Sequence, residues 1–212
     1  MIPTPDALSN HRVARRERSQ SICRRTPDNA EGGDQMPMVA AAATMKPEKD
    51  EFLPYYARYI DLVGRGDVLA TLSRQMAETQ ALLRSLPASV STYRYALGKW
   101  SVNEMIGHLI DSERIFAARA LRFARNDGTP LPGFEQDDYV RNSSFDNYPL
   151  DELASELGSV RESTLFLFKH LEEDAWMRRG TANGAAVSVR ALAYIIAGHE
   201  LHHREILRAR YL

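Results

Sequence analysis

The sequence predicts an all-α fold, a four-helix bundle with a long crossover loop, preceded by a disordered N-terminal tail. Three observations lead there. From residue 50 onward, apolar residues recur at helical spacing almost everywhere. No run alternates convincingly with the period of two that marks a half-buried strand. Four of the helical segments are roughly 20 residues each, or about 30 Å long. With 212 residues, 44% hydrophobic and 26% charged, the chain is long enough for one packed core with an appendage.

Residues 1–49 hold little that could build a core. Pro3, Pro5, the pair Gly32-Gly33, Pro37 and Pro47 interrupt any helical register, and large apolar residues are scarce, so the segment reads as a disordered tail. Within it HRVARRERSQSICRR carries six arginines. No hydrophobic run of an export signal follows Arg15-Arg16, and no amphipathic segment supports a transit peptide. MKPEKDEFLPYYARYI has the character of a domain entrance, which makes Met45 a candidate start of the natural product, tested by intact mass. The folded domain is expected over residues 50–212.

A short helix is expected around Pro54 to Val63. The first long helix, about Asp67 to Leu86, places Leu69, Leu72, Met76, Leu82, Leu83 and Leu86 at helical spacings and ends at Pro87. The second opens with a capping box, Ser101 and Glu104, with Trp100 and Met105 at the two staple positions, and runs to about Asn126. The third runs from about Leu150 to Leu171 and the fourth from Ser188 to near the C-terminus. Between the second and third, Asp127 to Pro149 spans 23 residues. Bundle helices are usually joined by roughly 2 to 8, so this connection should cross the bundle or cover something.

Lys and Arg number 27 and Asp and Glu 28, a net charge of −1, divided as 8 basic against 6 acidic in residues 1–49 and 19 against 22 beyond. A mildly acidic bundle argues against nucleic acid as partner except through the tail, where binding would be steeply salt-dependent. No stretch approaches the roughly 18 apolar residues of a membrane span. The one cysteine, Cys23, cannot build an internal disulfide, and a cytoplasmic location fits best.

Three of the six histidines fall together in AGHELHHRE. At about 100° per residue, His203 lies about 40° from His199, and both fall inside the apolar stripe of Leu192, Ile195, Ile196 and Ile206. His202 and Glu200 lie on opposite flanks of that stripe. Two imidazoles one turn apart on a buried face are costly unless something accepts their lone pairs, which a divalent metal does. The second helix offers a third ligand in His108, at the edge of a stripe of Met105, Leu109, Phe116 and Phe123. His170 reads instead as a helix C-terminal residue interacting with the dipole. The metal site is therefore expected at His108, His199 and His203, with Zn, Ni, Fe or Cu compatible with three imidazoles. His199-Glu200-Leu201-His202-His203 also matches the H-E-x-x-H zinc protease motif. Only nine residues follow His203, with no downstream third ligand and no strand to align a peptide, which makes protease the weakest reading.

Trp100-Ser101-Val102-Asn103-Glu104 followed by Gly107-His108-Leu109, together with Ala197-Gly198-His199-Glu200-Leu201-His202-His203, resembles the DinB/YfiT-like superfamily of four-helix metalloproteins. PGFEQDDYV at 132–140 and SVRALAYIIAGHE at 188–200 resemble one subgroup of it. The resemblance covers about residues 50–212. It implies an up-and-down bundle with a crossover, often a homodimer, and a divalent metal held by His108, His199 and His203. Some relatives are S-transferases or isomerases that use small thiols such as bacillithiol, mycothiol or glutathione. Where many relatives carry Gly-Gln soon after the paired histidines, this chain has Arg204, Glu205 and Ile206.

The expected function is a metal-dependent small-molecule enzyme, a thiol S-transferase or a hydrolase, because the metal's charge can deprotonate a thiol or water near neutral pH. Asp111, one turn after His108, and Glu104, one turn before it, are the candidate proton relays. Glu135, Asp137, Asp138 and Tyr139 are candidates for a lid, and Arg190 for an anion contact or an ordinary ion pair. The alternative is a non-catalytic metal-binding or structural, stress-associated dimer held together by its histidines, in which chelation should unfold the chain.

Overall fold

The computed structural model describes residues 40–212. Cys23, the arginine-rich segment and most of the expected tail lie outside the described residues. The last part of that expected tail is folded. Ala41–Thr44 forms one helical turn with Ala42 and Ala43 buried, and the Ala42 amide donates to Glu173 Oε1 at 2.9 Å. Two alanines side by side gave no sequence signal because their contribution is small volume, not large apolar surface.

Four long helices carry the fold: α1 (Val68–Ser85), α2 (Val102–Ala124), α3 (Leu150–Lys169) and α4 (Val189–Ile206). Each starts where its side chains dictate. Asp67 accepts from the Leu69 amide at 2.8 Å, and Ser188 accepts from the Ala191 amide at 2.9 Å. The capping box of α2 is complete: Ser101 Oγ accepts from the Glu104 amide at 3.0 Å, and Glu104 Oε2 from the Ser101 amide at 2.8 Å. Asp151 and Glu152 place negative charge at the positive end of α3. A final π-helical turn, Leu207–Tyr211, prolongs α4.

Two apolar clusters give the direction of each helix. One collects the starts of α1 and α4 and the ends of α2 and α3, through Leu72, Leu192, Ile195, Phe123 and Phe168. The other collects the opposite ends, through Leu83, Ile106, Leu153 and Leu207. Hence α1 and α4 run one way and α2 and α3 the other. Around the bundle α3 packs on α1 and α2, and α4 on the same two, so α1 stands diagonally from α2 and α3 from α4. The parallel pair α2 and α3 needs a connection as long as the bundle, which explains the length of residues 127–149. That crossover also covers a surface, since Phe145 lies over Gly107 and the short helix Gln136–Arg141 packs on α2.

One element departs from the expected all-helical pattern, a hairpin of β1 (Arg179–Ala182) and β2 (Ala185–Ser188) before α4. Asn183 and Gly184 both have positive φ, 51° and 75°, the signature of a tight hairpin turn. The flanking residues are mostly Ala, Gly and Ser, so the alternation that would betray strands is absent. Leu131 of the crossover bonds to this hairpin, donating to Thr181 O at 2.9 Å and accepting from the Asn183 amide at 3.0 Å. Phe123 packs so closely on Gly180 that a Cβ there would lie 2.0 Å from its ring.

Candidate metal centre

Between the two apolar clusters the bundle interior is polar, and all four helices contribute. Arg161 of α3 donates through Nε and Nη2 to both oxygens of Glu113 on α2, each at 2.8 Å, and pairs with Glu200 of α4 at 2.7 Å. Its Nη1 donates to Leu72 O of α1 at 3.0 Å, and Thr79 Oγ1 donates to Glu200 Oε1. Burial alone would lower the Arg161 pKa, but Glu113 and Glu200 hold it above the ordinary guanidinium value. Two carboxylates against one guanidinium leave formal negative charge inside the bundle. Glu200 points into this network, so it does not face the histidines as the base of a zinc protease would.

Beside it, His108 of α2 meets His199 and His203 of α4. His108 Nε2 and His203 Nε2 each lie 3.1 Å from His199 Nε2, and one ligand atom from each residue falls within 4.8 Å of the others. All three rings are at least nine-tenths buried. Burial pushes His108 down to about 4, and burial together with the neighbouring imidazoles holds His199 and His203 well below the usual range. The rings are therefore neutral at pH 7. Three neutral imidazoles cannot satisfy three converging nitrogens with one another, because a lone pair without a proton opposite it gains nothing. Ser112 Oγ lies 3.4 Å from His108 Nδ1, and Nε2 is the acceptor when Nδ1–H donates to that hydroxyl. His203 Nδ1 is buried without a hydrogen-bond partner among the described residues. The group fits a divalent cation, which would take the lone pairs that nothing else among the described residues accepts.

Aromatic rings enclose the histidines. Tyr59 packs edge-on against His199 at 5.2 Å between centroids, Phe116 at 6.2 Å, and Trp100 lies 4.7 Å from His108. The Tyr59 segment can lie this close because Gly198 lacks a side chain; a Cβ there would fall 2.0 Å from the backbone oxygen of Tyr59. Gly198→Ala is therefore expected to destabilise the protein by roughly 1–3 kcal/mol through overpacking, read from the denaturant midpoint. An unchanged midpoint would contradict this packing.

The cleft above the histidines has a volume of about 400 Å³, and its walls include Tyr59, His108, Phe116, Glu135, Asp137 and His199. Of the expected lid residues, Glu135 and Asp137 border the cleft, whereas Asp138 pairs with Arg141 at 2.6 Å. Tyr139 packs edge-on against Phe134, 5.3 Å between centroids. The structure brings neither proposed relay into the cleft. Glu104 is held by its cap and by Arg94 at 2.7 Å, and Asp111 lies beside Arg114 at 3.7 Å. One helical turn separates each from His108 in sequence, but the cap fixes Glu104, and Asp111 falls about 60° off the His108 direction. Arg190 pairs with Glu51, which also accepts from Ser188 Oγ at 2.6 Å, and so forms an ordinary buried ion pair. The Glu113–Arg161–Glu200 network had no local signal, since its members come from three helices.

The sequence profile of the DinB superfamily matches residues 68–207, which include the three histidines and all four long helices. The chain belongs to the DinB superfamily. Its fold is similar to that of YfiT from Bacillus subtilis, described as a probable metal-dependent hydrolase with an unusual four-helix bundle topology, at a TM-score of 0.58 and 14% identity over 77% of this chain and 92% of that one. No curated protein sequence matches the chain. No helix among the described residues is long and apolar enough to cross a membrane.

The depressed histidine values give a pH dependence for the metal-free protein. These rings are neutral when folded and protonate near pH 6.5 when unfolded, so the unfolded chain binds more protons below that pH. Stability is fully present above about pH 6.5 and falls as the pH is lowered toward 4. Denaturation of chelated protein at pH 7.5 and 5 should show it, and the loss should be smaller in His108→Ala. Equal losses in the two proteins would contradict the assignment.

Proposed function

We propose that the chain is a divalent-metal-dependent enzyme acting on a small molecule, with His108, His199 and His203 as metal ligands and hydrolysis as its reaction. The observation that carries this is the convergence of three buried, neutral imidazole nitrogens beside a cleft of about 400 Å³ that His108 and His199 line. That size suits a small molecule. When bound, a divalent ion supplies Lewis-acid charge that acidifies a water or thiol and polarises the electrophilic group under attack. The chain's own residues do the rest. Ser112 orients His108, Tyr59, Phe116 and Trp100 limit bulk water around the ligands, and Asp137 or Glu135 accepts and returns the proton of the nucleophile. These two carboxylates take the role first expected of Glu104 and Asp111.

S-transfer from a low-molecular-weight thiol is the second reading, favoured by a second cavity of about 350 Å³ that borders His203 and shares Gln136 and Asp137 with the first. Two reactants could reach the histidines from separate sides. Assembly as a homodimer belongs to the same proposal; light scattering should give about twice the chain mass of 23.9 kDa, and a monomer would remove it.

The test is turnover of small esters, amides and lactones by protein loaded with Zn, Ni or Fe(II), alone and with a thiol and an electrophile. Metal-dependent turnover, lowered about 100-fold or more in Asp137→Asn or in Glu135→Gln, is expected. Turnover that persists in the chelated protein would overturn the proposal.

A further inference from the structure

The polar layer beside the histidines does not fill its own space. A small cavity, with room for about one water molecule, lies against Glu113 of α2, Arg161 of α3, and His199 and Glu200 of α4, and apolar side chains complete its walls. Each of these four polar residues is less than a tenth exposed. Cavities of this size and polarity are the ones that proteins fill with a structural water, which makes about three hydrogen bonds.

The walls offer two acceptors and one donor. Glu113 accepts one hydrogen bond on each oxygen, from Arg161 Nε and Nη2, and each carboxylate oxygen has a further lone pair. Glu200 Oε1 accepts from Thr79 Oγ1. Its Oε2 lies 2.7 Å from Arg161 Nη2 but outside hydrogen-bond geometry, which leaves a buried acceptor without a donor among the described residues. The donor is His199. Its Nε2 stands 3.1 Å from Nε2 of His108 and of His203, so Nδ1 is the nitrogen left for another partner, and the described residues make no hydrogen bond to it.

We infer that this cavity holds a water that accepts from His199 Nδ1–H and donates to Glu113 and Glu200, which makes the two carboxylates positioning residues for the metal ligand. A proton kept on Nδ1 leaves the Nε2 lone pair directed at His108 and His203, where the cation is proposed to bind. A ring that donates toward the excess negative charge of the layer is also the more basic ligand. The second carboxylate is then no mere cost to the fold, because it serves as counter-charge to a dication one imidazole away. The inference rests on the proposed metal site, but the position of the ring proton does not need the metal.

Isotope-labelled full-length protein, stripped of metal with the chelator then dialysed away, is read by proton–nitrogen NMR of its imidazole rings, the His199 signals being those missing from His199→Ala. Zinc affinity is measured separately by competition with a chromophoric chelator. His199 of the wild type is expected to carry its proton on Nδ1. Glu113→Gln leaves one carboxylate against one guanidinium, so the chain should fold, with zinc affinity about tenfold or more weaker and the Nδ1–H preference reduced. Glu51→Gln, which breaks the buried ion pair with Arg190, should lower stability and leave both readouts unchanged. A proton on Nε2 of His199 in the wild type, or an even mixture of the two tautomers, would overturn the inference, as would unchanged zinc affinity in Glu113→Gln. A wild type that binds no zinc would remove the metal reading, and the ring proton would then decide this one.

Discussion

Arg161→Ala is expected to destabilise the protein by about 3–5 kcal/mol, measured by chemical denaturation, because it strands two buried carboxylates without their counter-charge. Arg161 is 1% exposed, and its bonds to Glu113, Glu200 and Leu72 O tie α2, α4 and α1 to α3 at one level. The loss should far exceed that from an exposed pair such as Arg114 with Glu156, where solvent leaves well under about 1 kcal/mol. Adding Glu113→Gln and Glu200→Gln to the arginine substitution should restore part of the stability, since no uncompensated charge then remains. A cost below about 1 kcal/mol for Arg161→Ala alone would show that the network is not buried as described.

Removing the metal, by chelation or by His203→Ala, is expected to abolish turnover and leave most of the helix content intact. The bundle has two apolar clusters that do not depend on the histidines, one on each side of the polar layer. Where a metal is the main source of folding energy, its removal unfolds the chain. Circular dichroism and metal analysis of the same sample separate the two cases. Wholesale loss of helix on chelation would favour the non-catalytic structural dimer over the enzyme.

The four long helices were legible because each combines a 3.6-residue apolar period with a local start signal, as at Asp67 and Ser101, or a proline boundary, as at Pro149. The meeting of His108 with His199 and His203 was legible too, since all three lie on apolar stripes. What escaped depends on contacts across the fold. The hairpin at 179–188 is set by Asn183-Gly184 and packing on Phe123, with strands too poor in β-branched residues to be read. Glu135 and Asp137 are among the four lid candidates, but that these two and not Asp138 or Tyr139 border the cleft depends on the path of the crossover, which no local rule specifies. Glu104 forms the capping box that its spacing from Ser101 predicts, and that cap holds its carboxylate at the start of α2.

Metal content tests the central claim most directly. Protein purified without chelator and incubated with Zn, Ni or Fe(II) should retain about one divalent ion per chain after gel filtration, as expected for a single three-histidine site. His108→Ala, His199→Ala and His203→Ala should lose it while remaining helical, and Glu104→Ala and Asp111→Ala should keep it. Absence of stoichiometric metal from the wild type, or its full retention in the histidine variants, would contradict the account.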